Sequence, residues 1–252
     1  MISYITPTLW QRPEFLLLAE ISLYQQTYDH IQWIIVSDRE QTIPLKHLVP
    51  TKIIIKKKLD NVSKARNEGI RQSAGEYIAF LDDDNLKRFD FGEQMIENIK
   101  DKDTVFCFAE TLKNNVIIGQ HHISTIEYKQ AFQIGNFYFT EEMLCRKDFL
   151  TKIGMFDETL NASEDYDLAL RILQHGIVGL VPFHLVSIRS HEGQLIQSDV
   201  NFQTQFCLHA ILKKHGRLAN ECFICKKDLE NIIYPYSKIR WIDGWRRVCE
   251  FC

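Results

Sequence analysis

A chain of 252 residues, 45% hydrophobic and 25% charged, has enough apolar material for a full core and the composition of an ordinary folded protein. Its formal net charge of −3 lacks the basic balance of a general nucleic-acid binder, so no nucleic-acid partner is expected. No stretch reaches the roughly 18 uninterrupted apolar residues of a membrane span, and "MISYITPTLW" lacks a signal peptide's basic and apolar regions; a cytoplasmic location is expected.

"ISYIT" (Ile2–Thr6) reads as a short strand ended by Pro7. A helix follows, its apolar face built from Phe15, Leu16, Leu18, Ala19, Ile21 and Leu23. "QWIIVSD" (Gln32–Asp38) is too apolar for a strand with one wet face and fits a parallel sheet covered on both sides. "KIIIKKK" (Lys52–Lys58) reads as a third strand. "NVSKARNEGIRQSAG" reads as a helix with Ser63 as N-cap and Gly75 as its stop, and "EYIAFLD" as the fourth strand. This order predicts an open α/β sheet, in which ligands sit outside the carboxyl ends of the strands. Asp38 and the run Asp82–Asp84 both fall at such ends.

In the second half, Asp103–Thr111 and Asn115–Gln120 read as strands of a hairpin turning near Lys113–Asn114. "FYFTEEMLCRKDFLTKIGMFDE" passes from a strand to a short helix. "SEDYDLALRILQHG" is an amphipathic helix with Leu168, Ile172 and Leu173 on one side and Gly176 as its stop. With no linker or repeat in sight, residues 1–202 are expected to form one unit and residues 203–252 a C-terminal tail.

Along an extended segment side chains alternate, so Asp82 and Asp84 would project together and Asp83 away. Taken alone, the triplet reads more simply as a solvated acidic loop, with Asn85 closing a turn. Arg66 suits bidentate phosphate binding but is also a common surface charge on a helix. Glu164 and Asp165 start a helix, where the dipole favours anions with or without catalysis.

Together, "ISYITPTLWQRPEFLLLAEISLYQQTYDHIQWIIVSD", "ARNEGIRQSAGEYIAFLDDDN" and "MLCRKDFLTKIGMFDETLNASEDYDLALRILQHG" resemble the family-two glycosyltransferases, in that family's order. The resemblance implies the GT-A fold, a Rossmann-like α/β architecture with a mixed, mostly parallel central sheet. It implies inverting, metal-dependent transfer of a sugar from a nucleotide-diphosphate donor to a hydroxyl of a sugar, glycolipid or protein, in surface polysaccharide or glycoconjugate synthesis. By the family's DXD motif Asp84 is the ligand of Mn²⁺ or Mg²⁺, Asp83 contacts the ribose and Asp82 supports the site. Asp38 would meet the nucleobase, and backbone around Thr6, Pro7 and Thr8 would border the same pocket. The family often has a second Asp where this chain reads "VSDRE", which weakens the Asp38 assignment. Arg66 would bind phosphate or another part of the donor, and Asn67 the donor. The ED pair matches Glu164–Asp165, with Asp165 as the base. His191 would complete the metal shell or close over the diphosphate. Acceptor choice would lie in Gln120–Glu142 and the tail.

Two other functions are open to such a chain. A nucleotidyltransferase would need a phosphate-cradling glycine loop, which "TPTLWQRPE" lacks. A non-catalytic scaffold working through its tail would not need both Asp84 and Asp165.

Cys107, Cys145 and Cys207 sit among apolar neighbours as small core residues. "CFIC" and "CEFC" place Cys222, Cys225, Cys249 and Cys252 as two Cys-x-x-Cys knuckles, the pattern of a structural Zn²⁺ ribbon; disulfides are disfavoured in the cytoplasm. Tyr234, Tyr236, Trp241, Trp245, Arg246 and Arg247 read as that ribbon's core and rim, in preference to a patch for a partner or the inner membrane face. A ligand at the last residue raises the expectation of a further C-terminal domain.

Overall fold

A computed structural model describes residues 1–41, 44–57, 59–121, 140–160 and 163–191, and the backbone of 239–242 and 246–249. Its first half follows the apolar runs. Strands β1 (Ile2–Pro7), β2 (Ile31–Ser37), β3 (Thr51–Ile55) and β4 (Tyr77–Phe80) lie parallel, joined through helices α1 (Pro13–Tyr24) and α2 (Val62–Gln72). β1 sits between β2 and β4, with Ile5 opposite both Ile34 and Phe80.

The chain then adds β5 (Leu86–Lys87), α3 (Phe91–Ile99), β6 (Thr104–Lys113), β7 (Val116–His121) and a 3₁₀ turn, Thr140–Glu142. β8 (Met143–Arg146), α4 (Lys147–Lys152), α5 (Glu164–His175) and β9 (Val178–Arg189) follow. The sheet is mixed, in the order β3-β2-β1-β4-β8-β6-β9-β5, with β7 paired to β6. β8 runs antiparallel to both β4 and β6, while β9 runs parallel to β6. The expected hairpin forms: Asn114 and Asn115, both left-handed (φ 50° and 61°), make the two-residue turn between β6 and β7.

The core packs against the sheet through Tyr4, Trp33, Leu16, Leu23, Phe91 and Met95. Trp33 is fully buried, and its indole N–H donates to Thr6 Oγ1 at 2.8 Å, so the largest core side chain leaves no polar atom unmatched. Cys107 and Cys145 are buried free thiols, as expected.

Two helix-end expectations are corrected. The N-cap of α2 is Asn61, whose side chain accepts from the Lys64 amide at 2.9 Å; Ser63 lies inside the helix and buried. α2 ends at Gln72, so Gly75 does not stop it. Gly75 is instead required by close approach to β1, because a Cβ there would lie 2.8 Å from both the Met1 carbonyl oxygen and the Ser3 nitrogen. Gly176 does follow α5, but in extended backbone and against the Phe149 ring, where a Cβ would stand 2.5 Å from Cζ. Asn61→Ala removes the cap and also the bond from Asn61 Nδ2 to the Glu158 carbonyl. It should lower stability by about 1–2 kcal/mol, read as a fall in the urea midpoint at unchanged slope.

The chain divides into two compact units, Met1–His191 and Glu192–Cys252. Of the second, the described part is an antiparallel pair, β10 (Ile239–Ile242) and β11 (Arg246–Cys249). The expected boundary at residue 202 lies outside the described residues, as do Cys207, Cys222, Cys225 and Cys252; Cys249 is described only as backbone, at the end of β11. No helix among the described residues is long and apolar enough to cross a membrane.

Candidate active site

The ladder between β1 and β4 continues one residue past β4, where the Leu81 amide donates to the Ile5 carbonyl at 3.0 Å. The chain then turns, and the Asn85 amide donates to the Asp82 carbonyl at 3.2 Å. Asp82, Asp83 and Asp84 thus occupy a turn at the carboxyl end of a strand, where open α/β sheets present ligands. After the turn β5 pairs antiparallel with the end of β9, Leu86 opposite Ser187, which carries Arg189 and His191 to the acidic turn. Asn85 fastens the join: its Oδ1 accepts from the Arg189 amide at 2.9 Å and its Nδ2 donates to Glu141 Oε1 at 2.5 Å.

The turn changes how the three carboxylates divide. Alternation would pair Asp82 with Asp84, but the extended backbone has already ended, and Asp83 and Asp84 instead share one cation. Arg12 Nη1 donates to Asp83 Oδ1 at 3.2 Å and to Asp84 Oδ2 at 3.3 Å. Asp83 Oδ2 also accepts from the Thr8 hydroxyl at 2.6 Å. Asp84 Oδ2 faces His191 Nε2 at 3.0 Å, so the expected pair Asp84 and His191 do meet. Burial raises the pKa of both Asp83 and Asp84, and their acidic neighbours add to the rise.

Asp82 belongs to a second, deeper cluster. Arg66 is buried; its Nη2 donates to Asp82 Oδ1 at 3.0 Å and its Nη1 to Glu164 Oε1 at 2.9 Å. Burial disfavours the guanidinium charge, but Asp82, Glu164 and Glu141 outweigh it and hold the pKa above the ordinary value. Arg66, expected to bind the donor, forms a strut joining the acidic turn to the start of α5. Asn67, also expected to bind the donor, is engaged within the protein. Its Nδ2 donates to the Phe156 carbonyl and Glu158 Oε1, and its Oδ1 accepts from the Phe156 amide, fixing the loop before α5.

Behind the strut, Glu141 and Lys87 are buried together. Burial pushes the Glu141 carboxyl up and the Lys87 ammonium down, each to about 8, and the Lys87 Nζ donates to the Glu141 carbonyl oxygen. At the other side, Asp38 follows β2, with Arg39 Nε 3.8 Å from its Oδ1. That distance is too long for a hydrogen bond, and Oδ1 is a buried acceptor with no hydrogen-bond partner among the described residues. Thr6 Oγ1 is taken by the Leu81 carbonyl and the Trp33 indole, the Thr8 amide donates to the Val36 carbonyl at 3.0 Å, and the Thr8 hydroxyl reaches the acidic turn at Asp83. Asp165, the second residue of α5, is half-buried, and its Oδ1 accepts from the Tyr166 amide at 2.7 Å.

Among the described residues no three His, Cys, Asp or Glu side chains converge on one metal position. Arg12, Asn85 and Glu141 are site residues that sequence reasoning did not find. Only Arg12 carries a local signal, since an arginine before Pro13 is a poor N-cap for α1.

The profile of Glycosyl transferase family 2 matches residues 3–155. An uncharacterized glycosyltransferase of Haemophilus influenzae is 27% identical over 187 residues, covering 69% of this chain and 62% of that protein. The uncharacterized glycosyltransferase YwdF of Bacillus subtilis is 26% identical over 227 residues, covering 85% of this chain and 84% of YwdF. The structure of S. aureus TarS 1-349 in complex with UDP-GlcNAc superposes with a TM-score of 0.67 at 15% identity, over 84% of this chain and 66% of that one. The likeness to TarS establishes a common fold.

Proposed function

The chain belongs to glycosyl transferase family 2, and from that premise we propose that it moves a sugar, with inversion, from a nucleotide-diphosphate donor to a hydroxyl acceptor. The observation that carries this reading is the Arg66 strut, which ties the acidic turn after β4 to the Glu164–Asp165 pair. One rigid link thus joins the two places where a donor's diphosphate and an acceptor's proton would be handled.

Asp84 and His191 would hold Mn²⁺ or Mg²⁺, which supplies charge neutralisation for a departing diphosphate. The donor set fits such an ion: a hard carboxylate oxygen and an imidazole nitrogen meet at the turn, and such cations commonly take their remaining ligands from substrate phosphate and water. Asp38 Oδ1, a buried acceptor with no donor among the described residues, suits the ring N–H of a uracil-like base. Asp83, fixed by the Thr8 hydroxyl, has lone pairs left for a ribose hydroxyl. Glu164 is engaged by Arg66, which leaves Asp165 to take the acceptor's proton. UDP-sugars are the first donors to test, because TarS binds UDP-GlcNAc and shares the fold.

A thermal-shift panel of UDP-, GDP-, TDP- and CMP-sugars with Mn²⁺ tests the reading. A true donor at a hundredfold its dissociation constant adds about 2.7 kcal/mol to stability and so raises the melting temperature. The Mn²⁺-dependent part of that rise should vanish in Asp84→Ala. A panel in which no nucleotide sugar moves the melting temperature would sink the assignment.

A further inference from the structure

Arg12 occupies an unusual place. It is the N-cap of α1, with Pro13 following at the first helical position, and it makes no side-chain capping bond. Capping favours Ser, Thr, Asp or Asn there, and a cation beside a helix N-terminus opposes the helix dipole. Helix formation therefore does not account for an arginine at this position. Its side chain reaches instead across to the acidic turn, where a single nitrogen, Nη1, serves carboxylates of both Asp83 and Asp84.

The surrounding loop is built to hold it there. Thr8 Oγ1 donates to Asp83 and accepts from the Trp10 amide at 3.0 Å. Trp10 is buried with left-handed backbone (φ 57°), a conformation that a bulky residue adopts only when its surroundings impose it, and its indole N–H donates to the Arg39 carbonyl at 3.2 Å. The segment from Thr8 to Arg12 is thus pinned at both the loop after β2 and the acidic turn. Arg12 Nη1 and His191 Nε2 both address the same oxygen, Asp84 Oδ2. A cation ligated by that oxygen and the His191 nitrogen would enter the space in front of the guanidinium, at a distance where like charges repel strongly.

We propose that Arg12 is the protein's own counter-cation for Asp83 and Asp84, and that it leaves those carboxylates when a divalent cation binds there. This rests on the metal-assisted reading given above. The two states compete for the same lone pairs, so the ion pair sets how tightly the site takes up its cation. Release also frees a guanidinium at the mouth of the site only when the cation is in place.

The test is Mn²⁺ uptake without nucleotide, followed by the electron paramagnetic resonance signal of free Mn²⁺. Arg12→Ala and Arg12→Gln should bind Mn²⁺ at least about tenfold more tightly than wild type, because the competing charge is gone. Arg12→Lys, which keeps the charge, should stay closer to wild type. In wild-type protein, saturating Mg²⁺ should move the Arg12 Nε–H resonance towards that of a solvated guanidinium, a measurement that needs no variant to fold. Equal or weaker Mn²⁺ binding by both neutral variants, no Mn²⁺ uptake by any of the proteins, or an unmoved Arg12 resonance would each overturn the inference. A nucleotide sugar that still raises the melting temperature alongside any of those results would leave the donor assignment standing.

Discussion

Arg66→Met should cost about 3–5 kcal/mol of stability, the usual penalty for removing one partner from a buried ion pair. In a chain of this size that is a fall in melting temperature on the order of 10 °C. Methionine keeps much of the side-chain volume over the Phe156 ring, 5.4 Å from the guanidinium, so the loss reads charge rather than a cavity. The carboxylates left behind differ in how they can respond. Asp82 is one-third exposed and can regain water, so its share must be discounted. Glu164 is 13% exposed and accounts for most of the penalty, because the carboxyl of Glu141, pushed up by burial, can stay protonated. Arg66→Met combined with Glu164→Gln should therefore recover part of the loss in a double-mutant cycle. If Arg66→Met cost less than about 1 kcal/mol, the strut would not be holding the two acidic segments together.

That strut also marks where sequence reasoning ends. The four parallel strands are legible because each is a compact apolar run closed by a turn residue, and α5 is legible from its period. The hairpin follows from Asn114 and Asn115, two residues that tolerate left-handed backbone. β9 is another matter. Its sequence, "VGLVPFHLVSIR", holds Gly179 and Pro182 in its interior, which argues against a central strand. The sheet accepts it by slipping register: Phe106 lies opposite Leu180 but Phe108 opposite His184, so the proline falls in the irregular stretch. β5 is only two residues long and has no periodicity to read, yet it brings Asn85 and Arg189 together.

The site shows the same limit. Asp38, the Asp82–Asp84 run and Glu164–Asp165 could be placed because they sit at strand or helix ends that the pattern marks. What those side chains touch depends on contacts far apart in sequence, such as Arg12 with Asp84 and Arg66 with Glu164. Alternation gave the wrong division of the triplet because it holds only while the backbone stays extended, and β4 ends at Phe80. A surface arginine and a buried, ion-paired arginine are the same letter, and only the fold shows the carboxylates gathered around Arg66.

Asp165→Asn should lower sugar transfer by about 10²–10⁴-fold, the range for losing a general base, while leaving the donor bound. An amide has the carboxylate's shape, and its Oδ1 can still accept from the Tyr166 amide, so the start of α5 need not rearrange. What it cannot do is take a proton from the acceptor's hydroxyl as that oxygen attacks. The neighbouring acid cannot substitute, because Glu164 Oε1 is held 2.9 Å from Arg66 Nη1 and a proton there would weaken the strut. The two residues therefore separate by readout. Asp165→Asn should drop kcat with little change in melting temperature or in donor-induced thermal shift, whereas Glu164→Gln should lower the melting temperature itself. If Asp165→Asn lost donor binding together with turnover, Asp165 would position the donor rather than accept the proton. An Asp165→Asn enzyme as fast as wild type would move the base elsewhere and leave the strut as the only role of this helix start.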